Sequence, residues 1–307
     1  MSSDPSPPPA PHTATSPLVP LALDVEAIVE RHAAVLLDAY GVLVDGDGPL
    51  PGAREFLEYL HARSTPFLIV TNDASRSHRT METRFRGLGL PVSEEAIVSS
   101  GSLVAPWIRD ASLGGARCVV LGTEDSKGMV REGGGVVVPP DAREDLDALF
   151  VCDESGFPFL DTLDTLVSQL FRAFERGRRP RLVLPNPDLL YPKRGGEFGL
   201  AAGTIAAVIE SALAHRFGGS KDVPDGAIRF ERLGKPYRPI FEAALAKVGT
   251  RDAVMFGDQH ATDVRGANDA GIPSVLVASG LTRKDDVVRG GIAPTYVVDG
   301  VALRPRT

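Results

Sequence analysis

The sequence predicts an open α/β protein, a parallel sheet wrapped by helices and interrupted by a second α/β module. Three observations carry this reading. Short unbroken apolar runs recur at 35–37, 66–70 and 253–256, the pattern of strands buried on both faces. Segments of helical period separate these runs, as parallel crossovers require. From about Gly115 the strand and helix pattern starts afresh, and the first pattern resumes only near the end of that block.

Residues 1–20 are rich in Pro and Ser and poor in bulky apolar residues, so a disordered tail is expected there. A short amphipathic helix at 24–33 precedes the first strand. That strand runs through Val35-Leu36-Leu37 into Asp38, so it delivers a carboxylate to its C-terminal tip. Pro51 and Gly52 introduce a helix reaching His61, and the second strand, 66–70, ends in the polar Thr71-Asn72-Asp73-Ala74-Ser75. Helices are expected at 76–88 and 102–110, with a strand at 96–98 between them.

In the block that follows, strands are expected at 118–121, 136–138, 148–152 and 181–184, and helices at 125–131 and 163–176. It closes on Pro185-Asn186-Pro187-Asp188 and a loop through Tyr191, Gly196 and Gly199. A helix from Gly203 to about Arg216, a strand at 228–230 and a helix at 237–248 then lead to the strand at 253–256. The loop Gly257-Asp258-Gln259-His260-Ala261-Thr262-Asp263 opens the next helix, and strands at 274–277 and 296–298 finish the sheet. The expected organisation is a first unit of 21–103 with 202–307 and an inserted module of 104–201.

Composition narrows the function. The 307 residues are 43% hydrophobic and 24% charged, within the ordinary globular range and enough for about two domains. A formal net charge of -7 with no large basic block argues against nucleic acid as the main partner. No apolar run reaches spanning length and the N-terminus has no signal-peptide pattern, so no membrane association and a cytoplasmic location are expected. Cys118 and Cys152 lack metal or redox spacing and read as small buried hydrophobes.

The chemistry sits where strands end. In a parallel sheet these tips converge on one edge, which brings Asp38, Thr71, Asn72, Lys235, Asp258 and Asp263 toward one another. Several carboxylates without a Cys or His cluster suit a hard cation, Mg²⁺ above all. A lysine and a threonine hydroxyl beside them suit a tetrahedral oxyanion. A carboxylate so placed can attack phosphorus to give an aspartyl-phosphate that water hydrolyses.

The ordered motifs D-x-Y-G-V-L, T-N, G-K-P and G-D-x-x-x-T-D resemble the four signatures of the haloacid dehalogenase superfamily, over about residues 34–280. The large insert between the second and third, closing with P-N-P-D and G-T, is similar to the class IIA branch. The resemblance implies a Rossmann-like parallel-sheet core with an inserted α/β cap domain, and a Mg²⁺-dependent phosphatase acting on a small phosphorylated metabolite. It implies Asp38 as nucleophile and metal ligand, Tyr40 lending its backbone carbonyl to the metal, and Thr71, Asn72 and Lys235 holding the phosphoryl group. Asp258 would ligate the metal and Asp263 would orient its shell. A homodimer built on the flat outer surface of the cap is a further expectation from the resemblance. Asn186 and Asp188 in the cap, and His260 between the metal-site carboxylates, are candidate substrate contacts.

One position departs from the pattern. The phosphatases place a general acid and base carboxylate two residues after the nucleophile, and this chain has Tyr40. Phenols ordinarily titrate near ~10 and make poor bases at neutral pH, so slow turnover is expected. Two other readings follow from it. One is an Asp-nucleophile hydrolase of carbon centres, of the dehalogenase kind; the other is a catalytically weak phospho-ligand binding protein.

Overall fold

The computed structural model describes residues 21–142, 144–193, 195, 197–278 and 291–304. The expected tail at 1–20 lies outside them. The first unit opens with β1 (Leu21–Ala22), α1 (Val25–Val29), β2 (Ala34–Leu37), α2 (Ala53–Ala62), β3 (Phe67–Thr71), α3 (His78–Gly87) and β4 (Ile97–Ser99). After α4 (Val104–Asp110), the insert contributes β5 (Arg117–Leu121), α5 (Glu124–Glu132), β6 (Val136–Val137), β7 (Ala148–Val151), α6 (Phe159–Glu175) and β8 (Arg181–Leu184). A hairpin of β9 (Leu190–Pro192) and β10 (Phe198–Leu200) precedes α7 (Ala202–Phe217) and β11 (Glu231–Arg232). The chain ends through α8 (Arg238–Val248), β12 (Ala253–Gly257), α9 (Arg265–Asp269), β13 (Ser274–Val277) and β14 (Tyr296–Val298).

The first sheet has seven strands in the order β1-β14-β13-β12-β2-β3-β4, with every pairing parallel. Its order reverses between β2 and β12: the chain grows outward from β2 on one side and from β12 on the other. The carboxyl ends on the two sides of such a switch point leave a crevice, where ligands bind in open α/β sheets. Alternation of side chains splits the core between the two faces. Leu37, Ile69 and Phe256 pack with Phe56, Leu57 and Leu60 of α2 and Met81 and Phe85 of α3, whereas Leu36, Val70 and Met255 meet Ile240, Phe241 and Leu245 of α8. Full burial of each such side chain stabilises by about 1.5–3 kcal/mol, so both helical layers are anchored.

The second sheet has five parallel strands in the order β11-β8-β7-β5-β6. Here the structure corrects three expectations. The helix beginning near Gly203 was expected in the first unit, but Ile205, Ala206, Ile209 and Leu213 of α7 pack with Leu149, Val151 and Leu182 on the second sheet. The strand expected at 228–230 is a 3-10 turn over Asp225–Ile228 followed by β11, which pairs with β8 of the second sheet. Both assignments depend on partners distant in the chain, which periodicity does not reveal. The loop expected after Asp188 forms the antiparallel hairpin β9–β10. Among the described residues, no helix is long and apolar enough to cross a membrane.

The two sheets meet beside the end of β3. Thr123 donates its hydroxyl to the Ser75 carbonyl at 2.5 Å, and Ser126 donates to that of Ala74 at 2.7 Å. Asp125 accepts from the Ser77 backbone N–H at 2.8 Å and the Thr80 hydroxyl at 2.7 Å. Helix α5 of the insert is thereby tied to the chain segment that follows Thr71.

Candidate active site

Asp38 follows the last residue of β2, and its backbone N–H donates to the Phe256 carbonyl of β12 at 2.9 Å. The nucleophile candidate is thus registered against the strand that carries Asp258. Asp38 Oδ1 accepts from the Ala39 N–H at 2.7 Å and from Lys235 Nζ at 2.8 Å. Lys235 Nζ also donates to Asp263 Oδ1 at 2.7 Å. Asp38, Asp258 and Asp263 each offer a carboxylate oxygen within 4.8 Å of the others, and all three are buried.

Two glycines make room for this cluster. A Cβ on Gly41, whose φ is +78°, would lie 2.3 Å from Asp258 Cγ. A Cβ on Gly257 would lie 2.2 Å from Asp263 Cγ. Distances below 3 Å exclude any side chain there, so both motif glycines are explained by carboxylates pressed against backbone. Gly234 has the same logic, since its Cβ would meet Asn72 Oδ1 at 2.4 Å and the Pro185 carbonyl at 2.6 Å. The Lys235-Pro236 peptide is cis.

Charge at this floor is unbalanced. Burial, together with Asp263 and Asp258, pushes the Asp38 carboxyl well above the usual range against the pull of Lys235. Burial also works against the Lys235 ammonium, but Asp263 and Asp38 outweigh it and hold its pKa above the ordinary lysine value. With all three carboxylates ionised, the one ammonium leaves two negative charges unmatched in a buried site. A divalent cation with a preference for oxygen fits both the donor set and the deficit.

Above the floor opens a cavity of about 330 Å³. It is lined by Asp38, Tyr40, Thr71, Asn72 and Lys235 from the first unit and by Asn186 and Asp188 from the insert. The structure therefore gathers most of the sequence candidates at one place, with Asp258 and Asp263 just beneath. His260 is the exception. It is buried and does not line the cavity, because the turn over His260–Val264 gives the lining positions to Gln259 and Thr262 instead.

The role expected of Asn72 also changes. Its Oδ1 accepts from the Lys235 N–H at 2.6 Å, and its Nδ2 donates to the Lys235 carbonyl at 3.0 Å and to Asp188 Oδ1 at 2.9 Å. This amide is a strut between the Lys235 loop and the insert. Tyr40 lies at the cavity wall with its hydroxyl accepting from Arg84 Nη2 at 2.6 Å, and the guanidinium carbon of Arg84 lies 5.2 Å from the ring centroid.

Sequence reasoning missed part of the wall. Asp73 and Arg76, paired at 2.7 Å, and Asp153 and Glu154 past the end of β7 complete it. Burial and the neighbouring Asp153 raise the Glu154 carboxyl to about 7. The signal for Asp153 and Glu154 is the polar break after the apolar run of β7, the same break that places Asp73 in the polar tip of β3.

Fold and site together define a parallel α/β hydrolase with a buried carboxylate–lysine floor and an inserted lid. A family model described as haloacid dehalogenase-like hydrolase matches residues 35–135, and a second, described as HAD-hydrolase-like, matches 232–303. The chain is 26% identical over 269 residues to dihydroxyacetone phosphatase of Corynebacterium glutamicum, covering 87% of this chain and 88% of that one. A structure described as a possible sugar phosphatase of the HAD superfamily, from Cytophaga hutchinsonii, superposes with a TM-score of 0.80 at 29% identity, covering 94% and 100% of the two chains. Glycerol phosphate phosphatase of Mycobacterium tuberculosis, in complex with magnesium, superposes at 0.72 and 25% identity, covering 92% and 78%. The chain belongs to the haloacid dehalogenase-like hydrolases, in the class IIA branch whose insert lies between the second and third motifs.

Proposed function

We propose that this phosphoric monoester hydrolase acts on small phosphate esters through an aspartyl-phosphate on Asp38, with Mg²⁺ as its metal. The observation that carries the reading is Lys235 Nζ bridging Asp38 and Asp263 at the floor of the cavity, 2.8 and 2.7 Å away, in a group of three buried carboxylates. Asp38 attacks phosphorus as the bond to the leaving oxygen breaks, and that oxygen takes up a proton. Water then attacks the phosphorus, gives up a proton and releases phosphate with the Asp38 carboxylate restored. Lys235 and the Thr71 hydroxyl hold the phosphoryl oxygens, and the backbone N–H of Asn72 serves in place of its committed side chain. Asp38, the Tyr40 carbonyl and Asp258, with Asp263 behind them, would hold Mg²⁺, which when bound would neutralise the phosphoryl charge.

The insert, with Asn186 and Asp188 on the cavity, acts as the lid that excludes water and reads the leaving group. Exposed Phe198 and Leu200 on the β9–β10 hairpin support a homodimer in which a second copy covers that face. Sedimentation at a monomer mass in micromolar solution would reject the dimer.

A phosphate-release screen over small phosphate esters, run with Mg²⁺ and with chelator, tests the reaction. Mg²⁺-dependent release from at least one ester is the expected result. Halide release from a haloacid without metal would point to the dehalogenase reaction instead. Thermal stabilisation by phosphate esters with no release of phosphate would point to a binding protein.

A further inference from the structure

We propose that Asp188, carried by the insert, is the general acid and base of the reaction. The assignment rests on Asp38 as the nucleophile. An alkoxide leaving from phosphorus needs a proton, and the water that attacks the aspartyl-phosphate must lose one, so the cavity has to hold a group that can do both.

The titratable side chains of the cavity besides the nucleophile can be taken in turn: burial raises the Cys152 thiol, and Tyr191 holds Lys193 Nζ 5.5 Å from its ring centroid. Lys235 is locked between Asp38 and Asp263. The Tyr40 hydroxyl is turned toward Arg84. Asp73 is committed to the Ser75 N–H, the Ser75 hydroxyl and Arg76, all at 2.7 Å. Asp153 and Glu154 come from the end of β7 and are hydrogen-bonded to one another, and Glu154 is shifted by burial first and then by Asp153 and Asp73. Outside the cavity, Asp45 accepts from the Asp47 and Gly48 N–H groups of its own turn, and His260 is buried without lining the cavity.

Asp188 is different in three respects. Its Oδ1 accepts from Asn72 Nδ2 at 2.9 Å, and Asn72 adjoins Thr71 and grips Lys235 on both sides of its peptide. The carboxyl is therefore tied to the phosphate end of the cavity. Its backbone is held as well, since the Asp188 N–H donates to Asn186 Oδ1 at 3.0 Å and its carbonyl accepts from the Gly203 N–H at 2.9 Å. A Cβ on Gly203 would lie 2.6 Å from that carbonyl, so the glycine permits the clamp. Finally, burial raises its pKa to about 6, with Asn72 and Lys235 pulling the other way and Asp263 adding to the rise. The other charged cavity groups are Asp38, Asp73, Arg76, Asp153 and Glu154. A group titrating there exists in both protonation states near neutral pH, as two opposite proton transfers demand.

The test compares two leaving groups. p-Nitrophenolate departs without a proton and an alkoxide does not, so Asp188→Asn should lower kcat/KM for an alkyl phosphate by about 10² to 10⁴-fold and for p-nitrophenyl phosphate by less than about 10-fold. Wild-type kcat/KM for the alkyl ester should decline as pH rises above about 6, and the variant should lose that limb. Asn keeps an oxygen for the Asn72 amide, so the strut survives. Asp188→Ala gives a second reading: added formate should restore alkyl-ester turnover. An active wild type whose Asn variant loses equally on both esters, with no formate rescue of the Ala variant, overturns this assignment alone and leaves Asp188 a positioning residue. A wild type that releases phosphate from neither ester overturns the underlying reaction and this assignment with it.

Discussion

The two sheets have the same construction and meet one cavity in different ways. Each is parallel, carries helices on both faces and buries an alternating apolar core. Yet the first places its ionisable groups on the strand tips flanking its switch point, where they pack into one buried cluster beneath the cavity. The second ends β7 in Asp153 and Glu154 and β8 in the turn bearing Asp188, and these reach the same cavity from the side as wall and lid. The difference teaches that a parallel sheet supplies an edge where loops converge, while the residues on those loops decide what each edge brings to the cavity.

The sharpest way to break the comparison is at the floor. Asp38→Asn should reduce phosphate release to the uncatalysed level under Mg²⁺, measured as free phosphate, because the isosteric amide has no nucleophilic oxygen. Asp153→Asn on the wall should retain turnover and alter only the choice among esters. An Asp38→Asn protein releasing phosphate at the wild-type rate would move the nucleophile elsewhere.

Stability should divide in the same way. Lys235→Met leaves Asp38 and Asp263 facing one another without their cation, at a cost of about 3–5 kcal/mol in urea unfolding. Millimolar Mg²⁺ should recover part of that loss, since binding to the folded state alone stabilises it.

In the second sheet the corresponding anchor is Glu210 of α7. It accepts from the Phe230 N–H at 2.7 Å and from Arg232 at 3.0 Å on both oxygens. Glu210→Ala should cost about 1.5–3 kcal/mol, less than the floor lysine, because Arg232 keeps access to water. A loss as large as that of Lys235→Met would erase the contrast between the sheets.

The smallest effect is expected at the wall and depends on pH. The folded protein raises Glu154 from 4.5 to about 7, so it holds that proton more tightly than the unfolded chain does. Its contribution to stability is therefore complete below about pH 4.5 and is lost as pH rises through about 7. Glu154→Gln removes this dependence, and the fall in melting temperature between pH 5 and pH 8 should be smaller in the variant. An unchanged profile would show that burial and the neighbouring Asp153 do not hold this carboxyl above its ordinary value.

Much of this is legible in the sequence. The apolar runs ending in Asp38, Thr71 and Asp258 are local signals, because a doubly buried strand must be apolar along its length and a polar break marks its tip. Topology then carries those tips to one edge. Gly41, Gly234 and Gly257 were legible as motif positions, but the contacts that demand glycine lie across the fold, on Asp258, Asn72 and Asp263.

By itself, then, the sequence determined the class of fold, the floor carboxylates and lysine, and the presence of an insert, all of which follow from periodicity and from polar residues at strand ends. Tertiary structure decided where the insert closes, since α7 and β11 chose partners far away in the chain. It decided that the Asn72 amide braces the Lys235 loop and that His260 turns inward while Gln259 and Thr262 line the cavity. It also decided the environments of Glu154 and Asp188, because a carboxylate's pKa depends on burial and on charges brought near it by folding, and composition holds neither.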